Sequence, residues 1–260
     1  MSDRAAAPAI SVTAAPVRFA AVIPAAGRGV RLGPGAPKAL RALNGTPMLV
    51  HAVRAMAASR AVCLVVVVAP PDGAAEVRTL LDAHPLADRD STRTDVLVVP
   101  GGATRQESVH LGLKALPDDI TAVLVHDAAR PLVPVDTVDA VAAAVRAGAP
   151  AVVPALPLTD TVKQVEPRTG EPEPVVATPE RSLLRAVQTP QGFDRATLVK
   201  AHETVALDGE GATDDAGMVE RLGVPVVVVP GHEEAFKVTR PLDLVLAEAV
   251  LARRRANDGF

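Results

Sequence analysis

Apolar residues along the chain fall into short unbroken runs rather than alternating with polar ones. VRFAAVIP (17–24), AVCLVVVVAP (61–70), TDVLVVP (94–100), TAVLVHD (121–127), GAPAVVPAL (148–156) and VPVVVVP (224–230) are the clearest. Runs of this length, rich in β-branched side chains, predict strands covered on both faces, as in a mainly parallel sheet flanked by helices. Between them helical patterns occupy 46–58, 73–83, 104–115, 135–147, 195–207, 214–222 and 241–254. Pro241 suits a first helical turn, and Thr213 followed by Asp214 and Asp215 suits a helix N-terminus. The alternation predicts a doubly wound, mostly parallel α/β sheet of Rossmann-like kind with right-handed crossovers.

One stretch breaks the pattern. PLTDTVKQVEPRTGEPEPVVATPERSLLRAVQTPQGF (157–193) holds two short strand-like pieces around a turn-rich EPRTGEPEP. It predicts a hairpin projecting from the sheet, with the arm itself at about 157–180. A two-stranded hairpin is marginal alone, so it is expected to pack on something, most simply a second subunit. Residues 1–16 read as a flexible Ala/Pro-rich tail and 17–256 as a single domain.

Composition narrows the function. The 260 residues carry 27 Lys plus Arg against 30 Asp plus Glu, a net charge of −3. That excludes bulk binding of nucleic acid or of a membrane surface, which needs a basic excess. No apolar run approaches the ~20 residues of a membrane span, and the start lacks the apolar core of a signal peptide. The one cysteine, Cys63, lies within an apolar run and reads as core, which points to a reducing, cytoplasmic setting. Trp and Tyr are absent, so any base recognition relies on backbone groups and small side chains.

Four motifs carry candidate chemistry. After the first strand comes GRGVRLG, with glycines at Gly27, Gly29 and Gly33. The spacing is one residue too long for the dinucleotide fingerprint, and no Gly-Lys-Ser/Thr follows as in a P-loop. Read alone it is a turn as readily as a phosphate site. Arg31 and Lys38 flank a Pro/Gly segment that cannot be helical, and their charges suit a triphosphate. GGATRQES (101–108) lets the backbone approach a ligand at Gly101 and Gly102 and offers the Ser108 hydroxyl, though taken alone it reads better as a plain two-glycine turn before a capped helix. HDAARP (126–131) puts Asp127 at a strand's carboxyl end, where ligands bind in open α/β sheets. A carboxylate there suits Mg²⁺ shared with phosphate oxygens, with a structural pairing to Arg130 as the alternative. FKVTRPLDL (236–244) offers Lys237 before a helix.

Taken in order, P-A-A-G-x-G-x-R-L…P-K, G-G-x-x-R-x-x-S, H-D-A-A-R-P, D-T-V-K, T-P-Q-x-F, T-D-D and F-K-V-T-x-P-x-D-L resemble the 2-C-methyl-D-erythritol 4-phosphate cytidylyltransferase family of the non-mevalonate isoprenoid pathway, over about residues 18–254. The resemblance implies a nucleotidyltransferase fold, CTP with Mg²⁺ or another divalent cation, a polyol phosphate as second substrate, and a homodimer. It places Ala25, Ala26, Gly27, Gly29, Arg31 and Lys38 around the nucleotide, and Gly102, Ala103 and Ser108 at cytosine and ribose. Asp127 then serves metal and substrate, and Lys237 contacts the transferring phosphorus. The family's hairpin reaches into the neighbouring subunit's site, which implicates Arg130, Thr161, Arg181 and Thr189 in substrate binding, with Thr213 a further candidate. Val30 stands where a second arginine is often found, and Ala235 where an asparagine is common. Transfer to another polyol phosphate, such as ribitol 5-phosphate, and a non-catalytic nucleotide-binding module are the competing readings.

Overall fold

The computed structural model describes residues 17–27, 37–86, 94–170, 172–205 and 214–258. The 1–16 tail and the site candidates Gly29, Arg31 and Thr213 lie outside them. In chain order the elements are β1 (Phe19–Pro24), β2 (Ala42–Leu43), β3 (Thr46–Pro47), α1 (Met48–Ala57), β4 (Val62–Ala69) and α2 (Ala74–Asp82). Then come β5 (Asp95–Pro100), α3 (Arg105–Lys114), β6 (Ala122–Val125), α4 (Val135–Arg146), β7 (Ala151–Pro157), β8 (Gln164–Val165) and β9 (Val175–Ala177). The chain continues through β10 (Arg185–Val187), β11 (Gln191–Asp194), α5 (Arg195–Val205), α6 (Asp215–Arg221), β12 (Val227–Pro230) and α7 (Pro241–Asp258).

Each apolar run became a strand of one sheet, ordered β10-β7-β11-β6-β1-β4-β5, with β12 also on β7. The pairs β1·β4, β4·β5, β1·β6 and β7·β12 are parallel. Adjacent residues of β1 point to opposite faces, as strand geometry requires. Phe19, Ala21 and Ile23 pack with Leu49 and Val53 of α1 and with Val138 and Val141 of α4. Ala20 and Val22 pack with Val109 and Leu113 of α3, Leu198 of α5 and Met218 of α6. Both faces of β1, β4 and β6 are covered, which is why those strands read as unbroken apolar runs. β5 and β12 depart from that expectation, because as edge strands they leave Val96, Leu97, Val227 and Val228 exposed. Each such buried Val or Leu contributes on the order of 1.5–3 kcal/mol. A smaller cluster seats α7 against the β2–β3 hairpin through Leu43, Met48, Leu132, Val238 and Ala247.

Two details position the site. The first is how closely α3 approaches the sheet: a Cβ on Gly112 would stand 2.6 Å from Cγ1 of Val22 and 2.9 Å from Cγ2 of Val68. A larger residue would push α3, and the loop before it, off the strand ends. The second is a departure from the sequence reading of 157–193. Its middle does form a separate two-stranded antiparallel sheet, β8·β9. Its end does not project but rejoins the main sheet as antiparallel β10 and β11. Ala155 pairs with both Val187 of β10 and Pro230 of β12, and Val152 with both Gly192 of β11 and Val227 of β12. A strand has only two edges, so β10 and β11 share one edge of β7, joined through a cis Thr189–Pro190 bond.

Candidate active site

The chain runs β1, β4, β5 outward and then returns to place β6 on the other side of β1. The carboxyl ends of β1 and β6 therefore diverge at a switch point, where α/β sheets bind ligands. A cleft opens there. It is lined by Pro24–Gly27 after β1, Lys38 and Ala39, Gly102–Arg105 and Ser108 after β5, Asp127–Ala129 after β6, and Lys237. Five segments far apart in sequence thus meet at one mouth.

Asp127 is its electrostatic centre. Oδ1 accepts from Nε of Arg105 at 3.2 Å and Oδ2 pairs with Nζ of Lys237 at 2.7 Å. Burial pushes the Asp127 carboxyl up, but the charges of Arg105 and Lys237 outweigh it and hold the group well below the usual carboxylate range. The carboxylate is ionised at any physiological pH.

The turn that carries Asp127 is locked from behind by His126. Nε2 of His126 faces the Arg130 carbonyl at 3.1 Å, so that nitrogen bears the proton. Nδ1 then accepts from the Thr189 hydroxyl at 3.0 Å, and that hydroxyl oxygen accepts from the Asp127 N–H at 3.1 Å. The chain of donors is self-consistent with a neutral ring. Complete burial drives the His126 pKa down to about 4.

The loop after β5 is clamped in the same way. Thr104 caps α3 by accepting from Glu107 N at 3.0 Å, while Glu107 Oε2 reaches back to the N–H of Ala103 at 2.8 Å. Ser108 donates to the Thr104 carbonyl at 2.9 Å and accepts from Gly102 N at 3.2 Å. Its proton is therefore spent inside the loop, which it ties to the helix. A Cβ on Gly102 would lie 2.2 Å from Cδ of Glu107, so a side chain there would displace the Glu107 carboxylate from Ala103.

A family model for 2-C-methyl-D-erythritol 4-phosphate cytidylyltransferase matches residues 19–253. The chain belongs to that family. It is 81% identical over 245 residues to the 2-C-methyl-D-erythritol 4-phosphate cytidylyltransferase of Streptomyces avermitilis, covering 94% of this chain and 95% of the relative. To the enzyme of the same name from Frankia casuarinae it is 57% identical, covering 91% and 82%. The fold agrees with solved structures. The 2-C-methyl-D-erythritol 4-phosphate cytidylyltransferase of Thermus thermophilus superposes with a TM-score of 0.67 at 36% identity, over 88% of this chain and 97% of that one. The 4-diphosphocytidyl-2C-methyl-D-erythritol synthase of Anaerococcus prevotii gives 0.75 at 26% identity, over 91% and 99%.

Of the residues that family resemblance singles out, Ala25, Ala26, Gly27, Lys38, Gly102, Ala103, Ser108, Asp127 and Lys237 converge on the cleft. The described polyol-side candidates, Arg130, Thr161, Arg181 and Thr189, are not among the residues that line it. Arg130 turns its Nη groups onto the carbonyls of Ala235 at 2.7 Å and Val187 at 3.2 Å, stitching β10 to the Lys237 segment. Thr189 is buried and serves His126. Thr161 and Arg181 are exposed at the base of the β8–β9 hairpin, where Arg181 donates to the Thr159 carbonyl at 2.5 Å.

Arg105 was not among the sequence candidates, yet it is the second cation on Asp127. Its Nη1 also pairs with Oδ2 of Asp215 at 2.8 Å. The signal lay in the motifs: Arg105 is the arginine of G-G-x-x-R-x-x-S and Asp215 the second aspartate of T-D-D.

Proposed function

We propose that the chain transfers CMP from CTP to 2-C-methyl-D-erythritol 4-phosphate, giving 4-diphosphocytidyl-2-C-methyl-D-erythritol and pyrophosphate. The observation that carries this reading is the ionised Asp127 set between Arg105 and Lys237 at the mouth of a glycine-walled cleft, in a chain of this family. An oxygen of the methylerythritol phosphate attacks the α-phosphorus of CTP, a new P–O bond forms, and the bond to the β-phosphate oxygen breaks, so that pyrophosphate leaves with its electron pair. The attacking oxygen is already ionised at neutral pH, so no general base is needed. The obstacle is bringing two anions together, and the remedy is positioned positive charge.

Lys237 serves at the α-phosphorus, with Lys38 and Arg31 along the triphosphate. Gly102 and Ala103 let the base approach backbone that has no bulky side chains, and the clamped loop holds its shape while it does so. The donor set fits a phosphate-bound Mg²⁺, which takes one or two carboxylates and draws its other ligands from phosphate and water. Asp127 would hold it: the group is ionised and lines the cleft. When bound, the ion would neutralise phosphate charge and orient the triphosphate. Among the described residues no group of three His, Cys, Asp or Glu side chains stands ready to hold a metal, in keeping with an ion brought in by its nucleotide.

The β8–β9 hairpin is assigned to a homodimer, in which it would bring Thr161 and Arg181 to the partner's polyol phosphate. Its support is physical: the hairpin exposes Val175 and Val176, 55% and 57% accessible, and lies outside the main sheet. No described helix is long and apolar enough to cross a membrane, and a cytoplasmic setting, where CTP and a polyol phosphate are water-soluble anions, is part of the proposal. Phosphorus NMR of the protein with CTP, Mg²⁺ and methylerythritol phosphate tests the activity. Equal amounts of pyrophosphate and a cytidine diphosphate diester are expected, and unchanged CTP would refute it.

A further inference from the structure

Behind Arg105 lies a buried polar pair that the transfer chemistry does not itself touch. Asp215, at the start of α6, is fully buried, and so is His202 of α5. Nε2 of His202 stands 3.0 Å from Oδ1 of Asp215, whose Oδ2 lies 2.8 Å from Nη1 of Arg105, an ion pair not aligned as a hydrogen bond. Burial pushes the Asp215 carboxyl up, but Arg105 and then His202 hold it below its ordinary value, so it is a carboxylate and the shared hydrogen belongs to Nε2. The other ring nitrogen, Nδ1, is buried with no partner among the described residues. The ring stacks on His110, with centroids 6.1 Å apart and planes at 20°.

A bare buried nitrogen is a cost that an apolar ring in the same place would not carry. The hydrogen bond to Asp215 is what this imidazole offers in return. Asp215 in its turn anchors Arg105: a guanidinium hydrogen-bonded at Nε to Asp127 and ion-paired at Nη1 with Asp215 is held at two points.

The two cations on Asp127 are therefore unlike. Lys237 has a side chain 41% accessible and, among the described residues, its ion pair is with Asp127. It can turn to a phosphate while Asp127 keeps Arg105. Arg105 cannot leave, because Asp215 would remain as a buried charge without a cation.

We propose that His202 is a positioning residue for cytidylyl transfer: by holding the Asp215 carboxylate it keeps the ion pair that anchors Arg105, so that Arg105 stays on Asp127 when Lys237 is drawn to the substrate. The inference rests on the transfer reading above.

Two variants separate this from a packing role. His202→Phe keeps a stacked ring and loses the Nε2–H; His202→Gln keeps an amide N–H near the Nε2 position. Melting temperature, calorimetric affinity for Mg–CTP, and kcat and KM are measured for each. Loss of one charge-assisted hydrogen bond predicts Mg–CTP affinity and kcat/KM weakened on the order of tenfold in His202→Phe, with most of both restored in His202→Gln. In an Arg105→Met background the same His202→Phe change should leave CTP affinity untouched while still shifting the melting temperature. Should His202→Phe not fold, His202→Asn, whose amide is too short to reach Asp215, takes its place. Wild-type affinity and kinetics in the variant lacking the donor would overturn the proposal, as would an undiminished effect in the Arg105→Met background. Absent turnover in the wild type would sink the transfer reading alone, since CTP affinity still decides the role of His202. A wild type that does not bind Mg–CTP would sink both.

Discussion

Nζ of Lys237 lies 2.7 Å from Oδ2 of Asp127, and Arg105 holds the other carboxylate oxygen at 3.2 Å. The lysine charge is thus oriented before any nucleotide arrives. Negative charge at the α-phosphorus grows only as the new bond forms, so a cation aimed there acts mainly on the transition state. Lys237→Ala is expected to lower kcat by on the order of 10²–10³ while changing the CTP KM far less. Steady-state kinetics at saturating substrates check this. A wild-type kcat with only a raised CTP KM would make Lys237 a ground-state binding group.

Ser108 and Gly102 should behave differently from Lys237, because both shape the loop that lines the cleft. Ser108→Ala removes the bridge between Gly102 N and the Thr104 carbonyl. The expected loss is about 0.5–1.5 kcal/mol, read as a roughly two- to tenfold rise in CTP KM at near-constant kcat. Gly102→Ala should do the same by driving Glu107 off the Ala103 N–H. A tenfold fall in kcat for either variant would contradict a loop-shaping role.

Acid should weaken the fold through His126. An unfolded histidine titrates near 6.5, whereas burial lowers the folded value to about 4. The unfolded chain therefore binds more protons between these values. This contribution is intact above about pH 6.5 and is lost as the pH falls towards about 4, in total on the order of 3 kcal/mol. Urea unfolding at pH 7.5 and pH 5 should show a smaller pH-dependent loss for His126→Asn than for the wild type. Equal losses would mean that the ring titrates normally.

If the β8–β9 hairpin completes a partner's site, two inactive variants should repair one another. Lys38→Ala and Arg181→Ala proteins, mixed and allowed to exchange subunits, should regain activity because some mixed dimers hold one intact site. Exchange shown directly, for example by fluorescence transfer, without recovered activity would mean that each site is built within one chain.

The legible parts of the molecule were those whose physics is periodic. β1, β4 and β6 are buried on both faces, so their runs of Val, Ala and Leu announced them. The loops at their ends were readable because glycines and cations stand beside strand ends. β10 and β11 were not legible, since Gln188, Thr189 and Gln191 are buried there through particular partners rather than by apolar character. Gln188 bonds the backbone of His232 twice, and Gln191 holds Asp214 and the Ala216 N–H. The Arg105–Asp215–His202 network was equally hidden. It joins α3, α6 and α5, and nothing in residue spacing shows that three polar side chains will meet in the interior.

The central claim is cytidylyl transfer to one particular polyol phosphate, and a pyrophosphate-release assay with two acceptors tests it most directly. With CTP and Mg²⁺ fixed, kcat/KM is measured for 2-C-methyl-D-erythritol 4-phosphate and for ribitol 5-phosphate. The account predicts that the methylerythritol compound is used at least a hundredfold better, since a site that hydrogen-bonds its substrate's hydroxyls rejects the mismatched polyol by leaving polar groups unpaired. Faster pyrophosphate release with ribitol 5-phosphate would contradict it.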